Sequence, residues 1–289
     1  MKSYLLRTVA LPVILAGPAM AADLPLKARP VLDPVFNWTG FYVGVNAGEA
    51  WARSDLTTTV SCAAPPPGFF NYFCGPGFGQ ANAAAVAAAG TGSITASAFT
   101  GGGQVGYNKQ YDRLVLGGEL DLDSFNINGS RQVGGVFPFG NGRVPFPPGR
   151  AFTISSAVST NWLFTARGRA GWAFDNLLVY VTAGLAVTDL HLNNSYLDNV
   201  VLGPGRGTWN ASAARLGGTI GGGLEWALSR SWSVKAEYLY LYFGSISATG
   251  MIVNPNGGGG GNPAGYANAI STSADLTAQI ARAGLNYRF

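Results

Sequence analysis

Apolar and polar residues alternate one by one along much of this chain. The pattern is clearest between Leu114 and Asp123, where four leucines are interleaved with valine, glycine and acidic residues. Successive side chains of a β-strand point to opposite faces, so this pattern predicts strands with one apolar and one polar face. A helix would mix the two sets of residues on every face. The alternation therefore favours a fold whose strands separate two different environments.

Composition indicates that one of these environments is lipid. The 289 residues are 47% hydrophobic with a mean hydropathy of +0.18, yet only 11% of them are charged. Soluble domains usually contain about 25% charged residues. Outside the amino-terminal region, no segment reaches the run of about 18 apolar residues that a helical membrane span needs. High apolarity without a long apolar run is typical of membrane β-strands, in which lipid-facing and lumen-facing residues alternate.

The amino-terminal residues predict export. Lys2 and Arg7 supply the positive charge of a signal peptide, residues 5–17 its apolar core, and Ala19-Met20-Ala21 a small-x-small cleavage site. An uncleaved anchor helix is disfavoured because the apolar core is too short to span a bilayer and contains proline. We expect three segments: a signal peptide at 1–21, a Pro-rich periplasmic lead-in at 22–35 and an outer-membrane β-barrel domain at 36–289.

Charge gives no support for nucleic acid binding. Removal of the signal peptide takes Lys2 and Arg7 from the 18 basic residues and leaves 16 against 14 acidic ones. The remaining basic residues are scattered, with no run that could follow a phosphate backbone. The pI near 9.1 therefore identifies no partner, and we expect no nucleic acid.

Eight strand-like stretches follow the lead-in, and eight is an even number, as single-chain bacterial barrels have. They lie near 38–54, 96–110, 114–123, 156–173, 177–187, 208–227, 232–242 and 281–289. Tight turns alternate with long connections at 55–95, 126–155, 189–207 and 244–272. Short turns belong to the periplasm and long loops to the outside. We expect the low-complexity tracts at 81–90 and 257–261 to be disordered.

The last nine residues predict the closing strand. Ala281, Ala283, Leu285, Tyr287 and Phe289 should face lipid, whereas Arg282, Asn286 and Arg288 should face inward. Because the machinery that assembles such barrels reads a terminal aromatic residue, Phe289 is also a candidate assembly signal. Aromatic girdles are predicted at both rims, with Trp38, Trp172 and Trp232 at the periplasmic rim and Trp51, Phe99, Trp162 and Tyr242 at the other.

Three motifs carry a resemblance to a known family. NWTGFYVGVNAG at 37–48, AEYLYLYFG at 236–244 and GLNYRF at 284–289 resemble the small outer-membrane barrel proteins of alphaproteobacteria, a surface-antigen, porin-like family with an opacity-type fold. The resemblance implies an all-β protein, an eight-stranded antiparallel transmembrane β-barrel with four long extracellular loops and short periplasmic turns. It also implies the cell outer membrane as the location.

Charged residues fall on the inward faces of the predicted strands at similar heights. They are Glu119, Asp121, Arg167, Arg169, Glu237 and Arg282. An eight-stranded barrel has a lumen just wide enough for side chains to fill, and buried charges there must be paired. Acids of the third strand should face bases of the fourth, and Glu237 should face Arg282. We interpret this set as a salt-bridge plug rather than a conduction pathway.

Other reactive residues are few. Cys62 and Cys74 lie in one predicted loop of an exported protein, where a disulfide can persist, although two free thiols remain an alternative. Two cysteines and the single, distant histidine are too few for a zinc site. That histidine, His191, lies outward near the rim beside Asp189 by parity. A serine hydrolase would also need a nucleophile, so we interpret His191 as a solvated rim residue.

These observations leave three hypotheses. The first is a structural barrel that interacts at the cell surface, the second a small nonspecific pore, and the third a barrel enzyme acting on lipid. Water-filled porin channels use about 16 strands, which disfavours the second. We expect the first, with no enzymatic activity, no metal and no cofactor. The expected partners are outer-membrane lipid and lipopolysaccharide, together with the barrel assembly machinery.

Overall fold

The computed structural model describes residues 36–75, 80–138, 150–200, 203–255 and 265–289. The predicted signal peptide at 1–21, the lead-in at 22–35 and the glycine tract at 257–261 lie outside these residues. The elements of the described part are, in chain order, β1 (Gly40–Val60), α1 (Ala81–Gly90), β2 (Gly92–Tyr111), β3 (Leu114–Phe125), β4 (Asn128–Val136), β5 (Ala151–Ser159), β6 (Trp162–Phe174), β7 (Leu177–Asp198), β8 (Arg206–Ala227), β9 (Trp232–Asn254) and β10 (Tyr266–Arg288).

The strands close into an antiparallel ring of eight. Its order is β1, β2, β3, β6, β7, β8, β9 and β10, and β10 pairs again with β1. Strands β4 and β5 continue β3 and β6 after short breaks. Strand β6 pairs with β7 as far as Thr188, and β5 pairs with β7 from His191 onward. The ten strand segments of the described residues thus form the eight strands of one barrel, because two of these strands are each divided by a short break. The predicted eight-stranded barrel is confirmed.

The strands are longer than the sequence analysis predicted. Strand β1 continues to Val60 and β9 continues to Asn254, while β4 lies inside the predicted loop at 126–155 and β5 begins inside it. A transmembrane strand needs about 9 to 11 residues. Strands of 20 to 23 residues, such as β2 and β10, are therefore about twice as long as a membrane crossing requires.

The polarity of the outward and inward faces of the barrel reverses along the length of its strands. Outward side chains are mostly apolar from the short turns up to a boundary marked by the exposed rings of Trp51, Phe99, Trp162 and Tyr242, and the outward Glu49 lies next to that boundary. We call this part of the barrel the turn half, and the part beyond those rings the loop half. In the loop half the outward residues are mostly polar, as at Ser271, Ser273 and Asp275 of β10, and the inward residues are apolar, as at Ile270 and Leu276.

A β-bulge keeps β9 in phase across the boundary. Tyr242 pairs with Thr277 of β10, but Ser245 pairs with Asp275, so β9 contains one extra residue at this point. Gly244 adopts a φ of +65° there, a conformation that glycine adopts without steric cost. As a result Leu241 and Phe243 point inward before the bulge, and Ile246 points inward after it.

The prediction of disorder at 81–90 is wrong, because this tract forms helix α1. Ala83 and Val86 are buried in the apolar interior of the loop half. The Nη1 of Arg131 donates to the carbonyl oxygen of Ala89 at 2.7 Å, which satisfies a carbonyl in the last turn. Alanine has the highest helix propensity, and burial of Ala83 and Val86 fixes one side of the helix on the core, while Ala84 and Ala88 are exposed. Within the described residues no helix is long and apolar enough to cross a membrane.

Candidate functional site

The lumen of the turn half contains a network of ion pairs centred on Arg167 of β6. Its guanidinium lies 2.6 Å from Glu119, 2.9 Å from Asp121 and 2.9 Å from Glu237. The antiparallel register makes Glu119 and Arg167 direct cross-strand partners, whereas Glu237 reaches Arg167 from the opposite wall. Long inward side chains on facing strands therefore meet across the narrow lumen.

Arg282 of β10 is a second centre of the same network. It lies 2.6 Å from Asp121, 2.7 Å from Glu237 and 2.9 Å from Asp123. Glu237 and Arg282 are cross-strand partners. Because Asp121 and Glu237 each contact both Arg167 and Arg282, the two centres form one connected cluster rather than separate pairs.

Arg169 differs from the arrangement that the sequence predicts. Its nearest acid is Glu225 of β8 at 2.7 Å, whereas Glu119 lies 3.8 Å away. The guanidinium also donates to the hydroxyl oxygen of Tyr42 at 3.0 Å and lies 4.0 Å from the ring centroid of Tyr180. The Tyr42 hydroxyl in turn donates to Glu119 at 2.7 Å.

The structure brings together all six charged residues that the sequence assigned to the lumen. It adds Asp123, Glu225, Lys235 and Tyr42, which sequence reasoning did not place in the network. Lys235 lies 2.8 Å from Glu119. These four residues have inward parity on strands that the sequence predicts, so parity could have found them. Parity does not predict which partners a long side chain reaches across the lumen.

Every ion-paired side chain of this cluster is 3% exposed or less. A buried charge that loses its partner destabilises a fold by several kcal/mol, so such groups persist only when they are paired and hydrogen-bonded. Amide side chains extend the network, since Asn46 donates to Asp123 at 3.0 Å and Asn286 donates to Glu225 at 3.0 Å. The cluster therefore fills the lumen with mutually oriented charges.

The turn end of the lumen is capped by aromatic rings. Trp38 is fully buried there, with the ring of Phe36 4.7 Å from its own. The guanidinium of Arg288 lies 4.6 Å from Phe36 and 4.9 Å from Trp38. The prediction that Trp38 belongs to the lipid-facing girdle of the periplasmic rim is wrong: Trp38 shares the inward parity of Tyr42, and its ring packs inside the barrel end. Trp172 and Trp232 face outward, as predicted.

The loop half holds a segment of the chain between β1 and α1 inside the barrel. Tyr72 and Phe73 are fully buried, and their backbone N–H groups donate to the side-chain oxygen of Asn268 at 2.6 and 2.9 Å. The Tyr72 hydroxyl donates to Asp198 at 2.7 Å. Burial beside this acid raises the pKa of Tyr72 above its usual value. The segment is thus held by hydrogen bonds to the strands and by burial of its two aromatic rings in the apolar core.

The remaining predicted residues lie at opposite ends of the molecule. Cys62 and Cys74 are joined by a disulfide in the loop half, with a Cα–Cα distance of 5.7 Å. Phe289 points outward at the turn end with 78% of its surface exposed, and its ring lies 5.3 Å from that of Tyr287. Its role as an assembly signal stays a prediction.

His191 lies outward on β7, near the boundary between the halves. Its Nε2 lies 3.1 Å from the Oδ2 of Asp189, and its Nδ1 lies 2.7 Å from the hydroxyl oxygen of Ser212. Ser212 was not identified from the sequence, because the contact depends on the pairing register of β7 with β8. In the described ranges, no group of three or more His, Cys, Asp or Glu side chains could hold a metal ion.

Comparison with known proteins identifies the family. Residues 9–289 match the outer membrane protein β-barrel domain. The chain belongs to this family. This outer-membrane barrel is 32% identical over 250 residues to the 31 kDa outer-membrane immunogenic protein of Brucella melitensis, covering 84% of this chain and 88% of that protein.

A second relative is more distant. The 25 kDa outer-membrane immunogenic protein of Brucella abortus is 23% identical over 230 residues, covering 80% of this chain and 77% of that protein. Among solved structures, the outer membrane protease OmpT of Escherichia coli aligns with 88% of this barrel and 98% of its own chain, at 9% identity and a TM-score of 0.39. The family match and the Brucella relatives confirm the predicted resemblance to outer-membrane barrel proteins of alphaproteobacteria.

Proposed function

We propose that this outer-membrane barrel is a closed structural protein that presents its loop half at the cell surface for interaction, and that it does not conduct solutes. The observation that carries this proposal is the buried ion-pair network around Arg167 and Arg282. In an eight-stranded barrel the lumen has room for side chains and little else. Paired charges held by both walls occupy that room.

The loop half supports the second part of the proposal. Its wall continues well past the length of a membrane crossing, and its outward residues are polar while its interior is an apolar core that includes Leu192, Phe152 and Trp209. This is the distribution of a soluble β-barrel in water. The disulfide between Cys62 and Cys74 and the hydrogen bonds to Asn268 order the first connection.

The proposal includes partners of three kinds. Membrane lipid would cover the apolar outward band of the turn half, and lipopolysaccharide would contact the polar residues just beyond it. The barrel assembly machinery would bind the closing strand at Phe289. Support for the lipid-facing band comes from outward side chains such as Phe41, Val181 and Ile220, all more than half exposed.

Single-channel recording tests closure of the lumen. The protein is refolded into detergent, checked for heat-modifiable migration on a denaturing gel, and inserted into a planar bilayer. We expect no stable conductance steps, because the paired side chains leave no continuous aqueous path. Large, stable openings of the wild-type protein would contradict the proposal and favour the small-pore alternative.

Cysteine labelling in intact cells tests presentation of the loop half. Ser247 of β9 and Leu285 of β10 both point outward, the first in the loop half and the second in the turn half. A membrane-impermeant maleimide should label S247C and leave L285C unlabelled, because lipid covers the second position. The wild-type protein is the background control, since its two cysteines are bonded to each other. Labelling of L285C alone, or of neither variant, would contradict the proposal.

A further inference from the structure

Three side chains on the outward face of β7 and β8 form a continuous hydrogen-bonded chain. Ser212 and His191 are direct cross-strand partners, and the Ser212 hydroxyl oxygen lies 2.7 Å from His191 Nδ1. The other ring nitrogen, Nε2, lies 3.1 Å from Asp189 Oδ2. From the sequence alone His191 has an acid neighbour and no nucleophile; the register of the barrel supplies one.

The environment of Asp189 fixes the direction of these hydrogen bonds. Its carboxylate accepts from the backbone N–H of Asn161 at 2.8 Å, from the Asn161 amide at 2.6 Å and from the backbone N–H of Trp162 at 3.2 Å. An ionised carboxylate only accepts hydrogen bonds. Neutral His191 therefore carries its proton on Nε2, and Nδ1 accepts from the Ser212 hydroxyl. A serine next to an imidazole that is oriented by an acid is the arrangement of an activated nucleophile.

The position of the three residues indicates the substrate. Val187 and Leu216 are cross-strand partners and the last large apolar outward residues of β7 and β8 before the boundary, and Leu216 is 65% exposed. The next outward pair toward the loop half is Asp189 with Ala214, and the pair after it is His191 with Ser212. Ser212 is exposed, and the His191 side chain is 35% exposed. The site thus lies where the lipid-facing band ends, at the depth of lipid headgroups and the ester bonds below them.

We propose that Ser212, His191 and Asp189 form a catalytic site that hydrolyses a carboxylic ester of a membrane lipid. The Ser212 oxygen attacks the ester carbonyl carbon while its proton passes to His191 Nδ1. The carbonyl carbon to alkoxy oxygen bond then breaks, and the alcohol leaves with that proton. Water attacks the acyl-serine in the same way, giving its proton to His191, and the fatty acid leaves as the Ser212 hydroxyl is restored.

The neighbouring outward pair suits the same reaction. Asn193 and Asn210 are cross-strand partners one step beyond His191 and Ser212. Both are exposed, and both carry amide N–H donors of the kind that stabilise the developing oxyanion in acyl transfer. The side-chain oxygen of Asn210 already accepts from the backbone N–H of Asn194 at 3.4 Å.

A fluorophosphonate probe tests the nucleophile. The refolded full-length protein is labelled in detergent, and the adduct is mapped by mass spectrometry. We expect the adduct on Ser212, its loss in S212A, and a rate in H191Q lower by roughly 10²- to 10⁴-fold, the contribution typical of a general base. S195A is the matched control, because Ser195 is also outward on β7 but its cross-strand partner is Thr208; its labelling should equal that of the wild type. Heat-modifiable migration confirms that each variant is folded.

Lipid substrates distinguish the possible sources of the ester. The wild-type protein is incubated with phospholipid vesicles and, separately, with vesicles containing lipopolysaccharide, and released fatty acid is measured. Release from either preparation that S212A abolishes supports the proposal and identifies the source. The proposal is overturned if wild-type Ser212 forms no adduct, if H191Q labels at the wild-type rate, or if neither lipid releases fatty acid. These last results would identify the three residues as a structural link between strands.

Discussion

Strand β7 crosses both halves of the barrel and changes its pattern on the way. In the turn half its outward residues include Val179, Val181 and Leu185, and the inward Tyr180 contacts the charged network. In the loop half Asn193 and Ser195 point outward, while Leu192 and Tyr196 point into the apolar core. Along this one strand, apolar residues thus face outward in the turn half and inward in the loop half.

This difference shows that the medium outside the barrel determines which side chains face outward and which fill the interior. Where lipid covers the outside, apolar residues are used there, and the narrow interior is filled with paired charges such as Arg167 and Glu119. Where the outside is polar, the hydrophobic effect drives apolar side chains inward. The same strands therefore form a membrane barrel at one end and enclose an apolar core of soluble type at the other.

The largest expected effect comes from a substitution at the turn end that prevents assembly of the barrel in the outer membrane. Phe289→Asp should remove most of the folded barrel from the outer membrane, because it places a charge where an exposed ring meets the headgroup layer. Export should be unaffected. Phe289→Trp, which keeps an amphipathic ring, is the control and should assemble normally. Cell fractionation with heat-modifiable migration measures both variants, and wild-type levels of folded F289D would refute the assembly signal.

The charged interior should be the next most sensitive point. Arg167→Ala leaves three basic residues, Arg169, Lys235 and Arg282, against five buried acids. Removing one partner of a buried ion pair costs about 3 to 5 kcal/mol. Urea unfolding in detergent micelles, followed by tryptophan fluorescence, measures this loss.

The loop half provides the control for that experiment. Arg53 pairs with Asp55 at 2.8 Å, but both side chains are more than half exposed. Exposed pairs contribute little to stability, so Arg53→Ala should leave the unfolding midpoint unchanged. If R167A were as stable as the wild type, the interpretation of the lumen charges as a stabilising plug would be wrong.

How far the sequence predicts this molecule depends on the half. Outward apolar alternation identified the turn half, including the inward position of Arg282 and the outward position of Leu285. Most of the loop half has polar outward residues, so a lipid-facing alternation predicts loops there instead of strands. Alternation does not predict helix α1, because its Ala-rich composition resembles a low-complexity tract and its order depends on packing of Ala83 and Val86 against the core.

Contacts between distant residues were harder to predict than faces. Parity placed Glu225 and Lys235 inward, but their partners depend on how far side chains extend across the lumen. The bulge at Gly244 reverses parity, so strand β9 could not be followed beyond it from alternation alone. The contact of Ser212 with His191 likewise depends on the exact register of β7 with β8, which alternation does not determine.

A pair of arginine substitutions on one strand sharpens the comparison of the two outer surfaces. Val181 and Asn193 both point outward from β7, the first in the turn half and the second in the loop half. Val181→Arg should cost about 2 to 4 kcal/mol, the value for arginine facing the middle of a bilayer. Asn193→Arg should change stability by no more than about 0.5 kcal/mol, as usual for a surface position. Refolding into lipid vesicles measures both, and equal effects would show that the boundary is misplaced.

The smallest expected effect concerns the residue that joins the two patterns on β9. A Cβ at Gly244 would meet nothing within 4 Å, so Gly244→Ala should cost only the backbone strain of its φ of +65°, about 1 to 2 kcal/mol. Gly103 of β2 offers a matched control with an ordinary φ, because a Cβ there would meet only the Gly44 carbonyl oxygen at 3.9 Å, an ordinary van der Waals contact. Alanine at this position should instead stabilise by about 0.5 to 1 kcal/mol. Opposite shifts of the urea midpoint would show that glycine is needed at the bulge for its conformation. An unchanged midpoint in G244A would show that the bulge can relocate, in which case Ile246 and Ile252 are held inward by the core and not by this residue.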